Sequence, residues 1–67
     1  VNIVADVIIG LAPVLQHFMD GHTRVICSGI LDTRLEDVRR AIEKAGLSIV
    51  AAKEKEDWRS LKVRKHL

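Results

Sequence analysis

Residues 33–46, TRLEDVRRAIEKAG, decide the fold. Thr33 and Glu36, three residues apart, have the spacing of a capping box, in which two side chains satisfy backbone N–H groups that a first helical turn leaves free. Leu35, Val38, Ala41, Ile42 and Ala45 then recur at steps of three and four as one apolar helix stripe, and Gly46 stops it. Glu36 and Arg40 add an i,i+4 pair worth roughly 0.3 kcal/mol. The runs on either side read as strands. Upstream, residues 23–31 (TRVICSGIL) place Val25, Ile26 and Cys27 in succession, a pattern of burial on both faces, with Ser28-Gly29 as a bend. Downstream come a short strand at 47–52 (LSIVAA), a charged connection at 53–57 (KEKED) and a last strand at 58–63 (WRSLKV). In that last strand Leu61 and Val63 share one face, and Trp58, Ser60 and Lys62 the other.

Strands joined through a helix are expected to run parallel with a right-handed crossover. Strands joined by a short polar loop are expected to form an antiparallel hairpin. Ahead of all this, Val4, Val7, Ile8, Leu11, Val14, Leu15 and Phe18 form a second amphipathic stripe, with Asn2 placed to cap it. Pro13 lacks an N–H and clashes one turn back, so a kink or restart is expected near Ala12, and Asp20-Gly21-His22 reads as the closing turn. The fold class is therefore α/β, in the order helix, strand, helix, strand, strand.

A chain of 67 residues buries only about 60% of its unfolded surface, so its core is marginal. Cys27 is the single cysteine, which rules out an internal disulfide and reads as a small buried hydrophobe. His17, His22 and His66 share no face, and no metal site is expected. No apolar run reaches the ~20 residues of a membrane-spanning helix. The chain opens at Val1 inside an apolar segment, and we expect a fragment, a single incomplete C-terminal part of a larger domain covering residues 1–67. Its basic stripe, Arg59, Lys62, Arg64, Lys65 and His66, reads first as a solvated strand face or tail. Phe18 and Trp58 are the only aromatics, too few for the stacking platforms of single-strand binders, so nucleic acid is not the expected partner.

Four segments carry a resemblance. Asn2-Ile3-Val4-Ala5, Leu11-Ala12-Pro13, Ile26-Cys27-Ser28-Gly29-Ile30-Leu31 and Asp57-Trp58 stand in order and with fitting spacing. They resemble the NILA, LAP, LILSGIL and Glu-Trp segments of the ribosomal protein L11 methyltransferases (the PrmA family), over essentially the whole chain. The resemblance implies a partial Rossmann-like class I methyltransferase sheet ending in an antiparallel hairpin. It implies a cytoplasmic enzyme that uses S-adenosylmethionine to methylate amino groups of a ribosomal protein. Asn2 would then be the catalytic orienting group beside the cofactor. Its amide oxygen, with the Ile3 backbone, would accept N–H bonds from a neutral target amine and aim the lone pair at the methyl group, so that catalysis rests on proximity and orientation. Ser28 and Gly29, at the carboxyl end of their strand, would line the same crevice, and Trp58 would wall the acceptor site.

Bland roles coexist with these: Asn2 as a helix cap, Ser28-Gly29 as a strand-ending turn, Trp58 as an edge aromatic. Two features depart from the family. Asp20-Gly21-His22-Thr23 stands where a Pro-Gly-Gly-like turn is usual, and the last strand carries Arg59, Lys62 and Arg64 where the family's is mostly apolar. The family's glycine-rich cofactor loop, its ribose-binding acid and its substrate-gripping N-terminal domain have no counterpart here, so the isolated chain is expected to be inactive. With the rest of the sheet missing, the strand at 23–31 would offer an unpaired edge and invite a homodimer. The competing expectation is a free-standing α/β interaction or RNA-binding module that uses the basic last strand.

Overall fold

The computed structural model describes residues 3–65, and for Ile3 the backbone alone. Helix α1 (Ile3–Leu15) runs into a short 3-10 turn, Gln16–Phe18. Strand β1 (Arg24–Leu31) leads through a second 3-10 turn, Asp32–Arg34, into helix α2 (Leu35–Lys44). Strands β2 (Leu47–Lys55) and β3 (Trp58–Lys65) complete the chain. Element order and type are those read from the sequence.

The sheet order is β1-β3-β2, with β3 antiparallel to both neighbours. β1 and β2 therefore point the same way, as expected for strands joined through a helix, but they are not adjacent. The expected hairpin is present, and its returning strand inserts between them. The reason lies in the connection. Lys53, Glu54 and Lys55 continue β2 rather than forming a loop, which leaves a two-residue turn, Glu56–Asp57, with Glu56 in the left-handed region at φ 55°. So tight a reversal delivers β3 beside β2, and Leu61 and Val63 then pair with Cys27 and Val25 of β1.

Both helices cover one face of this sheet. The core holds Cys27, Ile30, Leu47, Leu61 and Val63 from the strands, Val38 and Ile42 from α2, and Ala5 and Met19. Burial holds the Cys27 thiol neutral to higher pH than usual. Gly46, at φ +80°, ends α2 as its position predicts, and Pro13 stays inside a continuous α1 with no restart at Ala12. The capping box does not form. Thr33 lies within the 3-10 turn, Arg34 occupies the cap position without a capping side chain, and Glu36 pairs with Arg39 instead. Arg34 is drawn there by Asp6 of α1 (2.6 Å) and Asp37 (3.3 Å).

The stripe on α1 needs a larger correction. Ala5 and Ala12 are fully buried and Ile8 and Ile9 pack against the core, whereas Val4, Val7, Leu11, Val14 and Phe18 are exposed. A helix apolar on every side carries two candidate stripes, and the one with alanines faces inward, where α1 lies against α2 and β1.

The turn before β1 closes on itself. Asp20 Oδ1 accepts hydrogen bonds from the His22 N–H (2.8 Å) and the Thr23 hydroxyl (3.0 Å), and the Thr23 N–H reaches the Asp20 carbonyl (3.2 Å). The His22 N–H, then the Thr23 hydroxyl, hold the Asp20 carboxyl below its ordinary pKa.

Candidate functional site

Of the residues singled out from sequence, Asn2 lies outside the described residues, and Ile3 contributes its backbone as the first residue of α1. Ser28, Gly29 and Trp58 are brought together. β1 does not end at Ser28-Gly29. It carries a β-bulge there, between the pairs Cys27–Leu61 and Ile30–Arg59, and continues to Leu31. Gly29 takes φ +72°, a conformation L side chains rarely adopt. A Cβ on it would meet both methyl groups of Val4 at 3.8 Å, so the first turn of α1 lies over the bulge. Bulges re-aim side chains next to functional sites. Here Ser28 and Gly29 share a shallow depression with Trp58, Ser60 and Lys53. Trp58 is half-exposed, at 49%, and pairs across the sheet with Leu31 and Lys55.

Arg59 holds this end of the sheet, a role its place in the basic stripe did not indicate. Only 16% exposed, it pairs with Asp32 at 3.0 Å and Glu54 at 3.3 Å. It also donates to the carbonyls of Glu56 (2.9 Å) and Trp58 (3.0 Å). The Asp32 N–H donates to the Asp57 carbonyl at 2.8 Å, tying the hairpin turn to the exit of β1. Trp58 therefore stands on a backbone fastened from three strand ends. The available signal was local: one arginine two residues after the turn, with acids at 54, 56 and 57.

A protein-family model described as Ribosomal protein L11 methyltransferase (PrmA) matches residues 1–66. The chain belongs to this family. It is 38% identical over 64 residues to the ribosomal protein L11 methyltransferase of Agathobacter rectalis, covering 96% of this chain and 20% of that protein. With the Desulforamulus reducens protein of the same name it shares 41% over 57 residues, covering 85% and 18%. The crystal structure of ribosomal protein L11 methylase from Lactobacillus delbrueckii subsp. bulgaricus superposes with a TM-score of 0.85 at 27% identity, over 92% of this chain and 33% of that one. The β1-β3-β2 sheet under two helices is thus part of the PrmA fold, and the chain spans about a fifth of the length of the curated relatives it matches.

A methyltransferase family implies S-adenosylmethionine, and the described residues of this PrmA chain do not form a site for it. The depression is open, its lining is drawn from all three strands, and Gly29 is the only glycine that borders it. Among the described residues no three His, Cys, Asp or Glu cluster to hold a metal ion, and no helix is long and apolar enough to cross a membrane.

Proposed function

We propose that this chain is the C-terminal portion of a cytoplasmic enzyme that transfers methyl groups from S-adenosylmethionine to amino groups of a large-subunit ribosomal protein. In this reading it supplies the acceptor side of the site and leaves the cofactor to the rest of the protein. The observation that carries the reading is the convergence of Ser28, Gly29 and Trp58 on one depression beside the first turn of α1. Asn2, next to that turn in sequence, would take N–H bonds from the target amine and fix its direction, and Trp58 would wall the approach. Such a group works by orientation, for which large rate factors are available.

The test is a chimera in which this chain replaces the matching segment of the Agathobacter rectalis relative. It should methylate the ribosomal protein, and Asn2→Ala should lower kcat by roughly 100-fold. A folded chimera whose Asn2→Ala variant keeps full kcat would remove Asn2 from the chemistry. The 67-residue chain alone should give no heat on titration with S-adenosylmethionine, and saturable heat would overturn the division of labour.

We further propose that the separate chain self-associates. Besides the free edge of β1, α1 exposes Val4, Val7, Leu11 and Val14, and the 3-10 turn after it Phe18, at alternating three- and four-residue steps, the spacing of a helix-pairing seam. A single sharp monomer in sedimentation from micromolar to millimolar concentration would refute this.

A further inference from the structure

The face of the sheet turned away from the helices has a character of its own. Along β3, Trp58, Ser60, Lys62 and Arg64 alternate with the core residues Leu61 and Val63, and so share this outer face. Their partners across the sheet extend it: Lys55 beside Trp58, Lys53 beside Ser60, and Arg24 beside Arg64. Five cations therefore stand on one helix-free face with no carboxylate in those rows. The nearest acids by sequence are Glu54, between Lys53 and Lys55 but engaged by Arg59, and Glu56, which opens the turn after Lys55.

The rest of the chain's charge is arranged in the opposite way. Ion pairs among the described residues engage Arg34, Arg39, Arg40 and Arg59, and none engages the five cations of the face. Arg24 and Arg64 face each other directly across β1 and β3, an arrangement that destabilises a sheet. Arg24 turns toward the Gly21 and Thr23 carbonyls, and Arg64 Nε is shielded from solvent without a hydrogen-bond partner. Unrelieved repulsion of this kind is relieved by an anion, and its layout narrows which anion. Alternate residues on a strand lie ~7 Å apart, about the reach of one extended nucleotide, and Lys53/Lys55 on β2 and Lys62/Arg64 on β3 form two such steps, offset from each other so that together they run diagonally across the two strands. Trp58, half-exposed and directly across from Lys55, offers its ring to a base. Cationic tracks with an exposed aromatic are how single strands are held without sequence preference. An acidic peptide would use the charges and leave the ring idle.

We propose that the helix-free face of the sheet binds single-stranded nucleic acid, with phosphates along Lys53, Lys55, Lys62 and Arg64 and a base stacked on Trp58. A count of aromatics argues against this from sequence, but one exposed ring beside aligned cations suffices for one stacking position. The inference goes beyond methyl transfer, although its stacking residue Trp58 and its Lys53 and Lys55 also line the depression of the proposed acceptor site.

The test titrates the 67-residue chain with a short fluorescein-labelled oligouridylate and follows anisotropy together with the emission of Trp58, the only tryptophan. The expected result is saturable binding that quenches Trp58 and weakens with salt, at a log–log slope of about −0.7 per phosphate engaged. The double variant Lys62→Glu/Arg64→Glu should bind at least tenfold more weakly with a slope shallower by about 1.4. Trp58→Ala should lose about fivefold or more with its slope unchanged, and Trp58→Phe should recover most of that loss. Circular dichroism checks that each variant is folded. Absence of saturable binding at low salt overturns the proposal. So does binding that leaves Trp58 emission unchanged, binding indifferent to the double variant, or equal affinity for polyglutamate of matched charge.

Discussion

Two surfaces of this small domain stand bare, and they are bare in different ways. The outer side of α1 and of the 3-10 turn after it is apolar, with Val4, Val7, Leu11, Val14 and Phe18 exposed in one seam. The outer side of the sheet is cationic, with Ile26 as an exposed large aliphatic among Arg24, Lys53, Lys62 and Arg64. The first surface loses free energy to water and gains by meeting any apolar partner of matching shape. The second is well hydrated, and covering it with ordinary protein would strand charge away from water. Lack of a covering layer therefore means different things on the two sides. On α1 the exposed seam costs free energy in water, and on the sheet the exposed charges do not.

Substitutions can break or sharpen this contrast. Leu11→Lys places a charge in the middle of the α1 seam and should raise the dissociation constant for self-association by more than tenfold in sedimentation, while leaving far-UV circular dichroism unchanged. On the inner side of the same helix, Ala12→Leu overpacks a fully buried position and should cost about 1–3 kcal/mol in urea unfolding. If the two substitutions exchange outcomes, the assignment of the faces is reversed. On the sheet, Lys62→Glu should raise stability by a few tenths of a kcal/mol, roughly 0.2–0.5, because it relieves repulsion among the cations. That gain should shrink as salt is added, since the charges are exposed and screened. A gain unchanged at high salt would mean that packing, not charge, governs the face.

The smallest effect is expected in the turn. The carboxyl of Asp20 is held below its unfolded value, so its contribution is present above the unfolded pKa and is lost as pH falls through the folded one. Asp20→Asn keeps the acceptor oxygen and should flatten the loss of stability on the acid side. Acid unfolding curves for the two proteins test this directly, and superimposable curves would show that the turn carries no such linkage.

Much of the fold was legible because its signals were local. Gly46 ends a helix, the stripe on α2 has one apolar side, and β3 alternates cleanly. The residues of the candidate depression were legible only through their likeness to a family, since nothing in SGIL or Asp-Trp by itself points to chemistry. Arg59 was misread because its partner at 3.0 Å, Asp32, comes from the 3-10 turn after β1, 27 residues away, and only Glu54 of β2 is near in sequence. The capping box failed for the same reason: Asp6, 28 residues away from Arg34 in sequence, competes for the start of α2.

By itself the sequence determined the kinds and order of the elements, the hairpin and the face of β3 that would be buried. Period, turn chemistry and glycine placement act over a few residues, so no distant contact can easily overrule them. Only the tertiary structure decided that β3 lies between β1 and β2, which side of α1 is inside, and that Trp58 shares a face with five cations that form no ion pair among the described residues. Those outcomes depend on which surfaces fit together once the elements form. A helix that is apolar all round and a strand with two free edges leave that choice to packing.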